Sequence, residues 1–228
     1  AGMMKIYCPA DSPLHVESKS IKLYLNSFNM TKLGDTAQEC KQLLEQTVME
    51  DLSKALNTQV KCRFFNKLGT PEVSMEQGFD SLDALVDLDE IEFDTYHSDA
   101  SQLQIAETLE ENEVVMVHSD LLRSNCRVTN QPDWGDVFIH MEGKNMPDFE
   151  SLAKYIVSHR QVSHFHEEIC EMVFTHINEA YDPEKLMVAC LYTRRGGLDI
   201  NPIRATHGDM IPSFFTAMDV RLSKTLRQ

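Results

Sequence analysis

A long segment of helical periodicity followed by a short alternating one occurs twice in this chain of 228 residues, and that recurrence limits the folds open to it more than any single motif does. In residues 36–56, Leu43, Leu44, Val48, Leu52 and Leu56 recur at helical spacing behind a cap at Asp35 or Thr36, and residues 60–65 alternate as a strand. In residues 165–181, Ile169, Met172, Val173 and Ile177 repeat the helical spacing, and residues 186–192 read as a buried strand. A short signature precedes both helices. Leu23-Tyr24-Leu25-Asn26-Ser27 matches Lys154-Tyr155-Ile156-Val157-Ser158 in its order of Tyr, aliphatic, variable residue and Ser. Two similar α+β modules in tandem are expected, the first over residues 1–110 and the second over 111–228. Residues 136–141 add a strand with Val137, Ile139 and Met141 on one side, and residues 89–93 a short one.

Charge enters where partners are considered. The chain carries 21 Lys+Arg and 36 Asp+Glu, a net charge of −15. Residues 68–122 hold fifteen of those acids and no Lys or Arg, so the rest of the chain is neutral. This stretch reads as an acidic connector, together with whatever elements cap the first module. A polyanion is repelled by such a field, which argues against direct nucleic-acid binding. No window approaches the ~18 apolar residues of a membrane span, and Ala1-Gly2-Met3-Met4-Lys5 has no apolar signal region, so a cytoplasmic protein with no membrane contact is expected. The six cysteines contain no CxxC pair; a zinc site and a disulfide framework are not expected, and most of them read as small core hydrophobes.

Four segments can carry chemistry. The loop 124–135 holds Cys126, Arg127, Asp133 and the only Trp, Trp134. A lone loop cysteine is ordinarily inert, but an adjacent Arg127 favours a thiolate, and Asp133 returned by a Pro-containing turn makes a nucleophile and an acid. In His164-Phe165-His166-Glu167-Glu168 the two histidines do not share a helix face and no HExxH is present, which disfavours a metal. The acids there either complement a helix N-terminus or, in the sharper reading, place His166 as a proton donor and Glu167 as a carboxylate for two ligand N–H groups. Residues 192–202 end a strand in Arg194-Arg195-Gly196-Gly197, equally a plain turn or a phosphate cradle. Glu17-Ser18-Lys19-Ser20-Ile21-Lys22-Leu23-Tyr24 reads on its own as a Ser-capped helix start.

Together these four segments resemble the NADPH-dependent 7-cyano-7-deazaguanine reductases, the nitrile reductases of queuosine biosynthesis, in their two-module form. The resemblance runs from about residue 5 to the C-terminus, with Glu17 to Tyr24 similar to the family's defining motif. It implies tandem tunnelling-fold (T-fold) modules, each an antiparallel sheet with helices packed on one face. It implies that Cys126 adds to the nitrile as a thiolate to form a thioimide, that Asp133 protonates the nitrile nitrogen, and that His166 is the proton partner later. Two NADPH-dependent reductions then release the sulfur and yield the aminomethyl product. The resemblance further implies that Val16, Glu17, Ser18, His166 and Glu167 bind the base and that Ser18, Lys19, Arg195 and Gly196 hold NADPH, with no metal. Members of this form begin several dozen residues earlier, with a first strand ahead of this chain, and an open sheet edge there predicts a homodimer or larger homo-oligomer. The alternatives are a catalytically impaired nucleobase-binding module and a T-fold amidinotransferase acting on a nitrile in tRNA.

Overall fold

The structure is a computed structural model describing residues 2–66 and 71–228; Leu68, where the acidic stretch begins, lies outside the described residues. In chain order the elements are β1 (Gly2–Tyr7), α1 (Ser18–Ser27), α2 (Ala37–Leu56), β2 (Lys61–Asn66), β3 (Glu72–Val73), β4 (Asp80–Ser81), α3 (Leu82–Leu85) and β5 (Ile105–Ser119). They continue with β6 (Arg123–Asn125), β7 (Pro132–Pro147), α4 (Phe149–Ser158), α5 (His166–Tyr181), β8 (Lys185–Tyr192), β9 (Ile203–Ala205), α6 (Ser213–Thr216) and β10 (Arg221–Leu222). The chain divides into two compact units, one of Ala1–Val73, Gly196–Leu198 and Ser213–Ser223, the other of Ser74–Arg195, Asp199–Pro212 and Lys224–Gln228.

In the first unit, α2 starts at a capping box in which Thr36 Oγ1 accepts from the Glu39 N–H and the Glu39 carboxylate accepts from the Thr36 N–H. The helix ends on Asn57 in the left-handed region, φ 52°. Val48, Leu52 and Leu56, one turn apart, are buried with Val60 and bring the helix onto the antiparallel β1–β2 pair, where Met4, Ile6 and Cys62 close the core. Leu43, expected on this stripe, is exposed.

The second unit is built on a mixed sheet of order β4-β5-β7-β8-β9, with β4 parallel to β5, the other pairings antiparallel, and β6 hairpinned onto β7. Ile169, Cys170, Val173 and Ile177 of α5 and Leu152, Tyr155 and Ile156 of α4 pack on Val137, Ile139, Met141, Val188 and Cys190. Each such buried side chain contributes about 1.5–3 kcal/mol. The strand expected over 136–141 runs from 132 to 147, and its opposite face is also buried: Phe138 is fully covered, with Phe79 edge-on at 5.3 Å.

The signature at 23–27 and 154–158 has one physical meaning in both units. It ends a ten-residue helix, because Ser27 Oγ donates to Tyr24 O (2.6 Å) and Ser158 Oγ donates to Tyr155 O (2.7 Å), and each helix then tightens into one 3-10 turn. The tyrosine ties the short helix to the long one that follows, Tyr24 Oη to Asp51 Oδ2 at 2.6 Å and Tyr155 Oη to His176 Nδ1 at 2.9 Å. Asp182 ends α5 with φ 45°, as Asn57 ends α2.

Three expectations are corrected, two of them in the acidic stretch. Much of it is built into the second unit rather than forming a connector: β5 carries Glu107, Glu110, Glu111 and Glu113 where, among the described residues, β4 does not reach, since β4 pairs only with Val117 and His118. Charge on an uncovered strand flank blocks edge-to-edge pairing. Residues 89–93 form no strand, because the Asp87 carboxylate and carbonyl accept from the N–H groups of Asp89 and Glu90 and hold a turn. Nor are most cysteines core hydrophobes: Cys170 and Cys190 are buried, Cys62 and Cys126 are half-buried, and Cys8 and Cys40 are exposed.

A buried carboxylate supports the first prediction. Asp136 is 2% exposed and accepts from Thr225 Oγ1 at 2.6 Å. Burial pushes its carboxyl up to about 6; Thr225 opposes this, Asp120 and Glu76 reinforce it, and Arg227 opposes it. An unfolded aspartate titrates near ~4, so between about pH 4 and pH 6 the folded state holds a proton that the unfolded state has released. Stability at this site therefore falls as pH rises through that window and is flat above it. Asp136→Asn keeps an acceptor for Thr225 and removes the buried charge, and at neutral pH it is expected to stabilise by about 1–3 kcal/mol, less at about pH 5. Thermal unfolding at the two pH values checks this; an equal gain at both would show that the charge is not the cause.

Candidate active site

Cys126 and Asp133 are set by a hairpin, not by an open loop. In the β6–β7 pairing Ser124 lies opposite Asp133 and Asn125 opposite Pro132, and the turn closes with the Cys126 N–H on Gln131 O (2.9 Å) and the Asn130 N–H on Cys126 O (2.9 Å). Asn130 takes φ 54°, the left-handed conformation that asparagine tolerates and the turn requires. Side chains alternate along a strand, so Ser124 shares a face with Asp133 across the ladder, and Cys126 follows directly after the strand at the start of the turn.

The thiol of Cys126 is half-buried, which raises its pKa, but the Thr129 side chain and backbone, the Val128 backbone and the Arg195 charge outweigh this and hold it below the ordinary thiol value. The cation that favours the thiolate is therefore Arg195 and not the neighbour Arg127. Arg127 is drawn away to Glu168 at 2.9 Å and lies over the Phe165 ring.

Asp133 is 2% exposed, and its Oδ1 meets two cationic or protonatable groups, Arg195 Nε at 2.7 Å and His166 Nε2 at 3.2 Å. His166, the first residue of α5, stacks on Tyr192 with ring centroids 3.9 Å apart and planes 6° apart, and its Nδ1 is buried with no hydrogen-bond partner among the described residues. Gly135, opposite Tyr192 in the β7–β8 ladder, lets that ring approach, since a Cβ there would lie 3.0 Å from Leu191 O and from the ring. The start of α5 is tied to the hairpin by Asn125, whose N–H donates to Val162 O (2.8 Å) and whose carbonyl accepts from the His164 N–H (3.1 Å). Glu167 follows in the first turn, exposed and without a hydrogen bond or ion pair among the described residues.

Arg194 and Arg195 are not a free pair of forks. Arg194 is held by Asp199 through Nε at 3.0 Å, and Arg195 by Asp133 and, through Nη2, by Pro132 O at 3.3 Å. Their partners are near in sequence only for Arg194. Tyr192, Gly135 and the Arg195–Asp133 pair were not foreseen; the buried run 186–192 is the one sequence signal that pointed at Tyr192.

The remaining expected residues lie in the first unit. Glu17, not Ser18, caps α1, with Oε1 on the Lys19 N–H (2.9 Å) and Oε2 on the Ser20 N–H (2.8 Å), and these bonds hold its carboxyl below the usual range. Val16 packs on the Val48–Leu52–Leu56 core. Ser18 opens α1 and is half-buried, Lys19 is exposed, and Lys22 lies one turn on. Gly196, φ 58°, faces Lys22 so closely that a Cβ would come within 2.4 Å of Nζ. A lysine beside a glycine turn suits a phosphate, and Gly197 has nothing within 4 Å of the place a Cβ would take, so Lys22 and this turn fit a dinucleotide phosphate.

Residues 1–64 match the family described as nitrile reductase, 7-cyano-7-deazaguanine-reductase N-term, and residues 132–210 the family described as QueF-like protein. Over 208 residues the chain is 45% identical to the NADPH-dependent 7-cyano-7-deazaguanine reductase of Acinetobacter baumannii (strain AYE), covering 91% of this chain and 72% of that protein. The chain belongs to the NADPH-dependent 7-cyano-7-deazaguanine reductases. The Psychrobacter arcticus reductase of the same name is 38% identical over 210 residues, 90% of this chain and 72% of that one. Among solved structures, the apo archaeosine synthase QueF-Like aligns at a TM-score of 0.38 and 16% identity, over 43% of this chain and 95% of that one, too low to bear on the fold. Among the described residues no group of three or more His, Cys, Asp and Glu is placed to hold a metal, and no helix is long and apolar enough to cross a membrane.

Proposed function

We propose that this chain reduces the nitrile of 7-cyano-7-deazaguanine to the aminomethyl group at the expense of NADPH, through a thioimide on Cys126. The observation that carries the reading is the β6–β7 hairpin, which carries an acidified thiol and a buried, ion-paired carboxylate with Arg195 acting on both. The Cys126 sulfur bonds to the nitrile carbon, one C–N π pair moves to nitrogen, and the thiol's proton reaches that nitrogen through Asp133, which protonates it. His166, on the same Asp133 oxygen, is the proton partner of the later steps. Glu167, exposed and unengaged, accepts from the N–H edge of the base, with Val16, Glu17 and Ser18 lining the base site. Bound NADPH supplies the hydrides. Ser18, Lys19, Arg195 and Gly196 are the residues proposed to hold it.

The repeated run of short helix, 3-10 turn, long helix and strand supports two T-fold modules in tandem, one around α1–α2–β2 and one around α4–α5–β8. The two-stranded β1–β2 sheet, with no third strand among the described residues, supports assembly into a dimer or larger oligomer.

A nitrile becomes an amine by taking up two hydrides, so the protein mixed with 7-cyano-7-deazaguanine and NADPH is expected to oxidise two NADPH per nitrile, read from NADPH absorbance against product. An adduct in the intact mass with no NADPH oxidised would overturn the reductase reading in favour of a binding module or a transferase.

A further inference from the structure

Arg195 stands where two requirements meet. Its Nε lies 2.7 Å from Asp133 Oδ1 and its Nη2 donates to the Pro132 carbonyl at 3.3 Å, so the guanidinium is pinned along the start of β7. Asp133 is buried, and a buried carboxylate that loses its guanidinium partner is strongly disfavoured. The groups facing Asp133 are Arg195 beyond β8, His166 of α5 and Tyr192 of β8; those facing Cys126 are Thr129, Val128 and the same Arg195. One cation therefore serves both members of the nucleophile and acid pair.

We propose that Arg195 is a positioning residue for nitrile capture, holding Asp133 as the carboxylate that accepts the Cys126 thiol proton and returns it to the nitrile nitrogen. The inference rests on the nitrile reading above and adds a role in a step that uses no cofactor. The balance is that of addition across a triple bond. The Sγ–H proton passes to Asp133, the sulfur pair forms the C–S bond, a C–N π pair moves to nitrogen, and nitrogen takes the proton from Asp133, with nothing oxidised or reduced. Arg195 touches neither reacting atom in this scheme and acts through Asp133 and through its charge on the sulfur. A guanidinium is needed because Nε ion-pairs with Asp133 while Nη2 donates to Pro132 O, which a lysine ammonium cannot copy in one geometry.

The test is adduct formation with 7-cyano-7-deazaguanine in the absence of NADPH, followed by intact mass in wild type, Arg195→Met and Arg195→Lys. Arg195→Met is expected to slow adduct formation on the order of 10–100-fold and to move the pH midpoint of Cys126 alkylation by iodoacetamide upward, with Arg195→Lys between it and wild type. Arg195→Lys keeps a cation against Asp133 and carries the test where the Met variant folds poorly. Wild-type adduct rates in both variants, with only the NADPH requirement raised, would overturn the proposal and leave Arg195 a cofactor residue. A wild-type protein that forms no adduct at all would sink the nitrile reading itself, and this inference with it.

Discussion

Cys126→Ala is expected to abolish both the adduct mass with 7-cyano-7-deazaguanine and NADPH oxidation, a loss of at least about 10⁴-fold in turnover. Three other thiols are shifted upward, and the exposed Cys40 lies on α2 of the first unit, outside the β6–β7 hairpin. Burial pushes the Cys62 thiol up to about 12 and raises that of Cys8, while the hydrogen bond with Cys170 and burial raise that of Cys190. Cys126 is shifted the other way, because the turn aims the Thr129 and Val128 backbone at its sulfur and Arg195 adds charge. The variant keeps its fold, since the turn closes through main-chain bonds to Gln131 and from Asn130 that need no side chain. Intact mass and an unchanged thermal midpoint measured together make the test specific. Adduct persisting in the alanine variant would refute the assignment of Cys126 as the nucleophile.

Asp133→Asn is expected to slow adduct formation by about 10²–10⁴-fold while leaving Cys126 open to iodoacetamide. The amide matches the carboxylate in shape but neither accepts the thiol proton nor gives one up at the nitrile nitrogen. It also leaves Arg195 without its counter-charge; with Arg195 about a third exposed, water replaces part of the lost pairing, and the stability cost is about 1–3 kcal/mol. The two rates separate the roles: a fall in adduct formation alone points to proton transfer, whereas an equal fall in alkylation would mean that Asp133 only shapes the thiol's surroundings. An adduct rate equal to wild type would remove Asp133 from the chemistry.

Periodicity located α2, α5, β2 and β8 because each is a local pattern of apolar residues read against one burial direction, and the packed faces of Val48, Leu52 and Leu56 and of Ile169, Val173 and Ile177 follow it. The signature at 23–27 and 154–158 was legible as a repeat for the same reason: a serine hydroxyl on a carbonyl three residues back is an interaction within one helix turn. The turn holding Asp89 reads as a strand in sequence, since the Asp87 carboxylate and carbonyl accepting from the Asp89 and Glu90 N–H groups leave no trace in an apolar pattern.

Residue identity and order alone determined the family resemblance, the two helix–strand runs and the candidate residues Cys126, Asp133, His166 and Glu167. Tertiary structure decided which charges act on them. Arg127 is one peptide bond from Cys126 yet turns to Glu168, while Arg195, 69 positions on, reaches Asp133 because the β7–β8 ladder brings Tyr192 opposite Gly135 and carries the chain past the hairpin. Coulomb forces act through space and fall with distance, whereas a sequence records only separation along the chain; hydrogen-bonded register converts one into the other, and it exists only once the sheet has formed.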